Sequence, residues 1–321
     1  MRALICGISG QDGAHLAKFL LSKGYEVVGT SRDAQLTSFG NLDRLEIPRA
    51  TVVLDSMAPN DFRSVLQTLK KFAPDEIYNL SGQSSVGLSF EQPVETLESI
   101  ATATHNLLEV IRFLERPIRF YNAGSSECFG DTPQGGANEQ TPFRPRSPYG
   151  VAKSTAFWQV ANYREAYGIQ ACTGILFNHE SPLRPARFVT RKIVSTACRI
   201  RNGSREKLRL GDLSMQRDWG WAPEYVTAMW AMLNSPAPMA DYVIASGQAH
   251  TLEQFVARAF HCLGLDWREH VETDVSLRRP TEISFSRGDA SKAGEILGWR
   301  ATRGMGEVVE LLVREELASC A

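Results

Sequence analysis

The fold turns on Met1-Arg2-Ala3-Leu4-Ile5-Cys6-Gly7-Ile8-Ser9-Gly10-Gln11-Asp12-Gly13. Ala3–Cys6 is a short apolar run that reads as a buried strand, and it leads straight into a turn where a leader peptide would continue apolar. Gly7, Gly10 and Gly13 let the chain turn tightly, bring backbone close to a pyrophosphate and pack helix on strand. The helix N-terminus that follows attracts the anion. The spacing is G-x-x-G-x-x-G, and such a turn is commonplace by itself. Its place between a strand and a helix makes it a dinucleotide cradle, with Ser9, Gln11 and Asp12 as further candidates for cofactor contact.

Working outward, strands are expected at Glu26–Thr30, Thr51–Leu54, Glu76–Leu80, Arg119–Ala123 and Ala171–Phe177. Helical patterns lie between them near Gly13–Ser22, Asp61–Phe72, Thr96–Phe113 and Pro148–Tyr167. Strand and helix in alternation imply a doubly wound parallel sheet of Rossmann type, an α/β fold covered on both faces. Past Asn178 the pattern shifts to helices near Phe188–Asn202, Pro223–Leu233 and Leu252–Leu263 with short strands between them, a smaller mixed α/β region. The expected division is residues 1–177 for the cofactor and mainly 178–321 for the substrate, with a possible return of the chain to the first domain.

The 321 residues carry a formal net charge of −1, which gives no electrostatic case for nucleic acid or an acidic membrane surface. No apolar run approaches the roughly 20 residues of a membrane span. Six cysteines (Cys6, Cys128, Cys172, Cys198, Cys262 and Cys320) are scattered singly, which fits a reduced, cytoplasmic compartment. No clustered ligand set calls for a metal.

Three loops leave strand ends on the side where an open α/β sheet binds ligands. Ser31-Arg32 follows the second strand, where an arginine suits a 2′-phosphate and hence NADP. Asp33 beside it is the residue type that would accept a ribose hydroxyl, so NAD is the second choice. Asp55-Ser56 follows the third strand, and Leu80-Ser81-Gly82-Gln83-Ser84 the fourth; both are small and polar, as ordinary turns also are.

The chemistry gathers further on. Ser147-Pro148 reads as an N-cap and first helical residue, which puts Tyr149 and Lys153 one turn apart on a single helix face. A charged Lys153 would stabilise the Tyr149 phenolate and could also bond a nicotinamide ribose. Ser125 falls where the fifth strand ends, placed to bridge a substrate oxygen and Tyr149. Glu127, two residues on, is either a solvated loop acid or a second base beside the pair. A second base could take a carbon-bound proton next to a new ketone, which points to oxidation followed by elimination.

Together these residues resemble the extended short-chain dehydrogenase/reductase superfamily and, within it, the GDP-mannose 4,6-dehydratases. The resemblance spans nearly the whole chain. It rests on Gly7–Gly13, Asn79–Ser84, Ser125-Ser126-Glu127, Pro145–Lys153 and Leu176-Phe177-Asn178-His179-Glu180-Ser181-Pro182-Leu183-Arg184. Phe188–Lys192, Arg217-Asp218-Trp219-Gly220 and Arg279-Pro280-Thr281-Glu282 extend it. It implies a catalytic set of Ser125, Glu127, Tyr149 and Lys153, with serine where the family usually has threonine. It further implies His179 and Arg184 at the cofactor, and Ser85, Ser126, Asn178, Thr190, Lys192, Arg217, Arg279 and Glu282 at the nucleotide-sugar. Arginines there suit a diphosphate, which they bind bidentately, although any one alone could be a surface ion pair. The family commonly has an Arg-Arg-Ser type loop after the second strand, reaching a neighbouring subunit's cofactor in a tetramer. Here the loop is Ser31-Arg32-Asp33-Ala34-Gln35, with a single arginine.

The resemblance implies conversion of GDP-mannose to GDP-4-keto-6-deoxymannose by a homodimer or homotetramer, the dimer formed through the Thr96–Phe113 and Pro148–Tyr167 helices. Two alternatives stand beside it. A nucleotide-sugar 4-epimerase or 4-keto reductase would need Tyr149 but no carboxylate at Glu127. A non-catalytic NADP-binding regulator would keep the glycine turn but typically lose the Tyr149/Lys153 pair.

Overall fold

The computed structural model describes residues 1–277 and 279–320. In chain order the strands are β1 (Arg2–Cys6), β2 (Glu26–Ser31), β3 (Val52–Ser56), β4 (Glu76–Asn79), β5 (Arg119–Ala123), β6 (Ala171–Leu176), β7 (Asn178–Glu180), β8 (Leu208–Leu210), β9 (Gln216–Trp221), β10 (Tyr242–Ile244), β11 (Ala249–Thr251) and β12 (Val271–Thr273). Seven of them form one parallel sheet in the order β10-β6-β5-β4-β1-β2-β3. All of β4 and β6 is buried, the mark of strands covered on both faces. On one face, Leu16 and Leu20 of helix Gln11–Ser22 meet Tyr225, Met229 and Met232 of helix Ala222–Asn234. On the other, Val65 and Leu69 pack with Leu107, Ile111 and Val160. The α/β doubly wound architecture is the one expected.

The sheet grows to one side from β1 to β3 and to the other from β4 to β10, so the order reverses between β1 and β4. A crevice opens at such a reversal beyond the carboxyl ends of the strands. The glycine turn, the loop after β4 and the loop after β5 all leave the sheet there.

Three local differences from the sequence reading have physical causes. The first helix begins at Gln11 rather than Gly13, with Gly10 as its N-cap. Before β5 a short helix Val86–Glu91 comes first, and a second run begins at Pro93, which takes the first helical position, and passes through a π-turn at Glu98–Thr102 into Ala103–Leu114. Tyr242–Ile244 adds a seventh strand to the main sheet through pairing with β6. Three residues are too few for a periodic pattern, and their partner lies far away in sequence.

The remaining strands make a small sheet β11-β9-β7 and a parallel pair β12-β8. Helices Val189–Arg201, Leu252–His261 and Met305–Cys320 close around a separate core that includes Ile193, Phe255, Val308 and Leu312. Among the described residues no helix is long and apolar enough to cross a membrane.

Candidate active site

Gly7 takes a positive φ of 85°, and a side chain there would press on the Leu80 carbonyl oxygen, 3.0 Å from where its Cβ would sit. Helix Gln11–Ser22 then starts at Gly10 with no side chain capping its first N–H groups. The Gln11 amide turns inward: Nε2 donates to the His179 carbonyl oxygen (3.2 Å) and Oε1 accepts from Ser181 Oγ (2.9 Å). It braces the turn against β7 and the residue that follows that strand.

Asp12 pairs with His179 across the same seam, Oδ2 to Nε2 at 2.9 Å, while His179 Nδ1 donates to the Phe177 carbonyl oxygen at 2.7 Å. Burial would raise the Asp12 carboxyl, but the His179 charge and hydrogen bond outweigh it and hold it well below the ordinary range. His179 is moved the other way, above its ordinary value: burial works against the charged ring and Asp12 overcomes it.

Along the crevice, Arg32 Nη1 lies 3.1 Å from Glu95 Oε1. Asp55 pairs with Lys71 at 2.8 Å, and Ser56 Oγ accepts from the Ala34 N–H. Ser81 donates to Asn79 Oδ1, and the Gln83 amide donates to the Ser85 carbonyl oxygen and Thr96 Oγ1. These side chains hold the loops in shape, and Asn41 Nδ2 donates to the Ser9 carbonyl oxygen at 2.9 Å.

At the end of β5, Ser125 Oγ accepts the Glu127 N–H at 3.2 Å and starts the short turn Ser126–Cys128. Ser147 Oγ accepts the Gly150 N–H at 3.0 Å, the expected cap on helix Pro148–Tyr167. Gly150 lets that helix approach closely, since a Cβ there would lie 2.8 Å from the Glu127 carbonyl oxygen. Cap and glycine thus fix Tyr149 beside Ser125 and Glu127. Lys153 Nζ donates to the Ala123 carbonyl oxygen at 2.7 Å and lies 5.8 Å from the centre of the Tyr149 ring.

Burial lowers the Lys153 ammonium to about 8. Burial also pushes the Tyr149 phenol up, partly offset by its hydrogen bond with Ser125. Glu127 is raised above the ordinary carboxylate range, chiefly by burial; the charges of Arg217 and Arg279 oppose the shift and Glu282 adds to it.

Opposite this wall, Arg217 Nη2 donates to Glu282 Oε1 at 3.1 Å and Arg279 Nη1 reaches the same oxygen at 3.4 Å. Thr190 Oγ1 donates to Glu180 Oε2 at 2.7 Å, so its hydroxyl is held within the wall. Arg184 lies 3.3 Å from that carboxylate oxygen, with its guanidinium stacked 3.9 Å from the Phe188 ring centre. Lys192 Nζ donates to the Arg209 carbonyl oxygen at 2.6 Å.

A single cavity of about 410 Å³ joins the two walls. It brings together Asp12, Leu80, Ser84, Ser85, Ser125, Ser126, Glu127, Tyr149, Lys153, Asn178, His179, Arg184, Thr190, Lys192, Arg217, Arg279 and Glu282. Gly7, Ser9, Gly10, Gln11, Gly13, Arg32, Asp55, Ser56, Ser81, Gly82 and Gln83 fall outside its lining: Gln11 and Gly13 open the first helix, Asp55 and Ser56 end β3, and the others lie on the turns after β1, β2 and β4. A phenol, an ammonium, a carboxyl and two guanidiniums around one space can deprotonate a hydroxyl and a carbon acid while holding an anion.

The model of the family described as GDP-mannose 4,6 dehydratase matches residues 4–312. The chain belongs to this family. It is 46% identical over 324 residues to GDP-mannose 4,6 dehydratase 1 of Arabidopsis thaliana, covering 98% of this chain and 89% of that protein. It is 43% identical over 342 residues to the GDP-mannose 4,6-dehydratase of Sinorhizobium fredii, covering 98% and 96%. The resemblance drawn from the motifs is therefore borne out. Two solved structures share the fold at lower identity. dTDP-glucose 4,6-dehydratase from Bacillus anthracis, in complex with NAD, has a TM-score of 0.86 at 18% identity over 100% of this chain and 97% of that one. RMD from Pseudomonas aeruginosa, complexed with NADPH, has a TM-score of 0.80 at 20% identity over 99% and 98%.

For a member of the GDP-mannose 4,6-dehydratase family, the sequence reading left out several wall residues. Glu180, at the end of β7, is buried and anchors both Thr190 and Arg184. Arg187 and Arg209 also line the cavity. Arg209 had a legible sign, because it stands between the buried Leu208 and Leu210 in a strand whose alternation turns it outward. Glu180 had none, since a carboxylate in a sequence looks the same whether buried or solvated.

Proposed function

We propose that the chain converts GDP-mannose to GDP-4-keto-6-deoxymannose with loss of water, using a nicotinamide dinucleotide, NADP before NAD. The observation that carries this reading is the Glu127 carboxyl on the same cavity wall as Tyr149 and Lys153. The residues present fit the dinucleotide. The positive-φ turn at Gly7 and the helix start at Gly10 that no side chain caps suit a pyrophosphate. Asp12, His179, Arg184 and Lys153 share the cavity with Tyr149, which supports a role for them at the nicotinamide end, and Arg32 suits a 2′-phosphate.

When bound, the nicotinamide would take the C4 hydride of mannose and later return it to C6. Tyr149 removes the C4 hydroxyl proton, with Ser125 bonded to its phenol and the Lys153 charge favouring the phenolate. The C4 ketone acidifies the C5 proton, which Glu127 takes. The C6 hydroxyl leaves as water, protonated by Glu127 or through the Ser126 hydroxyl. C5 regains a proton after the hydride reaches C6, so the net change is loss of one water. Arg217 and Arg279 would exchange part of their contact with Glu282 for the diphosphate.

A homodimer goes with this reading, supported by apolar side chains left exposed on the outer helices. Val151 and Trp158 lie two turns apart on one stripe of Pro148–Tyr167, and Val94 and Leu97 are exposed on Pro93–Leu97. A cytoplasmic location rests on the singly scattered cysteines.

The test is incubation of the purified chain with GDP-mannose and NADP+. A 4-keto product lighter by one water, with no lasting NADPH absorbance, is the expected result. Stoichiometric NADPH or a C4 epimer would replace the dehydratase reading with reduction or epimerisation.

A further inference from the structure

We infer that Glu95 tunes which dinucleotide the crevice selects, by holding Arg32 and by placing a carboxylate where a 2′-phosphate would have to approach. The inference rests on the proposed nicotinamide dinucleotide lying across the strand ends, and it adds a specificity-determining residue to that reading.

In this fold the residue that follows the second strand meets the ribose 2′-position: an acid there accepts the 2′-hydroxyl of NAD, and an arginine neutralises the 2′-phosphate of NADP. The turn after β2 carries both signs of charge, and the structure sorts them. Asp33, which on sequence grounds could have received a ribose hydroxyl, is held to its own turn, its Oδ1 accepting the N–H groups of Gln35 (2.9 Å) and Leu36 (3.0 Å). Ser31 Oγ lies 3.1 Å from Thr37 Oγ1. At the end of the neighbouring strand, Lys71 is tied to Asp55. Arg32, directly after β2 and with 78% of its side chain exposed, is then the cation of this turn open to a 2′-phosphate.

That guanidinium is not idle. Its Nη1 meets Glu95 Oε1 at 3.1 Å, and Glu95 comes from the helix Pro93–Leu97, more than sixty positions along the chain. A dianionic phosphate arriving at Arg32 must loosen this pair and then sit beside the Glu95 carboxylate, so repulsion offsets part of the attraction. A ribose hydroxyl meets the opposite situation, because it can donate to Glu95 without disturbing Arg32. The pair thus narrows the gap between NADP and NAD that an unencumbered arginine would set. Both side chains are partly open to water, so the effect is modest and screened by salt.

The experiment measures dissociation constants of NADPH and NADH by quenching of intrinsic tryptophan fluorescence, with the full chain freed of bound nucleotide, at low and high salt. Wild type is compared with Glu95→Gln, Arg32→Ala and the double variant. Glu95→Gln is expected to raise the NADPH-over-NADH affinity ratio by about three- to fivefold at low salt and less at high salt. Arg32→Ala should lower the ratio, and in its background Glu95→Gln should change the ratio much less than in wild type. An unchanged ratio in Glu95→Gln would overturn the inference, as would an undiminished effect without Arg32. Failure of every variant and of wild type to bind either dinucleotide would instead remove the cofactor reading beneath it.

Discussion

Arg217 Nη2 and Glu282 Oε1 lie 3.1 Å apart in the cavity wall facing Glu127, and this pair sets the electrostatic surroundings of the proposed C5 base. Arg217 is almost fully buried, so its charge is poorly screened. Glu127 is raised by burial, drawn down by Arg217 and Arg279, and raised again by Glu282.

Glu127 must be ionised to take a proton, so activity is lost as pH falls through its raised pKa. Removing a cation raises that pKa further: Arg217→Gln should move the acid limb of kcat/KM upward by about one pH unit. Removing the anion does the reverse, and Glu282→Gln should move the limb downward. Initial-rate profiles of the three proteins check this, and shifts of the same sign in both variants would exclude it.

Asp218 follows Arg217 but points into the core. Its carboxylate accepts the Ser246 N–H and hydroxyl, the Gly247 N–H and, at 3.4 Å, the Gly288 N–H. It ties β9 to the segment after β10. Asp218→Ala leaves several partly buried donors and the buried Gly288 N–H unpaired and should cost about 3 kcal/mol, read as a fall in the urea midpoint.

The two neighbours illustrate what was legible in the sequence. The resemblance marked Arg217 for the nucleotide-sugar, but the part Asp218 plays in the core shows only in the fold, where the two are neighbours on β9. Strand–helix order, the glycine turn at Gly7 and the Ser147 cap were readable because each is local. Gln11, Gln83 and Glu180 were not, since their partners come from elsewhere in the fold or from inside a loop's own folding. The seventh strand, Tyr242–Ile244, escaped for the same reason: its identity is conferred by β6.

The Asp12–His179 pair ties the glycine turn to β7 and makes stability depend on pH. Asp12 is depressed, so its contribution is present above the unfolded value of about 3.8 and lost as pH falls through the lower folded value. His179 is raised, so its contribution is full below about 6.5 and lost as pH rises through the higher folded value. Asp12→Asn should therefore destabilise most between about pH 4 and 6.5, by roughly 2 kcal/mol. Thermal midpoints of the two proteins across pH should converge on either side of that window.

Trp158 leaves 62% of its surface exposed on helix Pro148–Tyr167, the helix that also carries Tyr149 and Lys153. If that helix meets a second copy, Trp158→Glu buries a charge at the contact. Sedimentation should then show wild type at twice the mass of the variant. A monomeric wild type would end the dimer proposal.

The central claim is that Glu127 exchanges the C5 proton after Tyr149 has opened the way to a C4 ketone. The most direct measurement is the reaction with GDP-mannose and NADP+ in D2O, following deuterium at C5 for wild type and Glu127→Gln. Wild type should yield the 4-keto-6-deoxy product with one deuterium at C5. Glu127→Gln should bind cofactor as wild type does, yet give neither product nor C5 label. Normal product and C5 deuteration by Glu127→Gln would contradict the account.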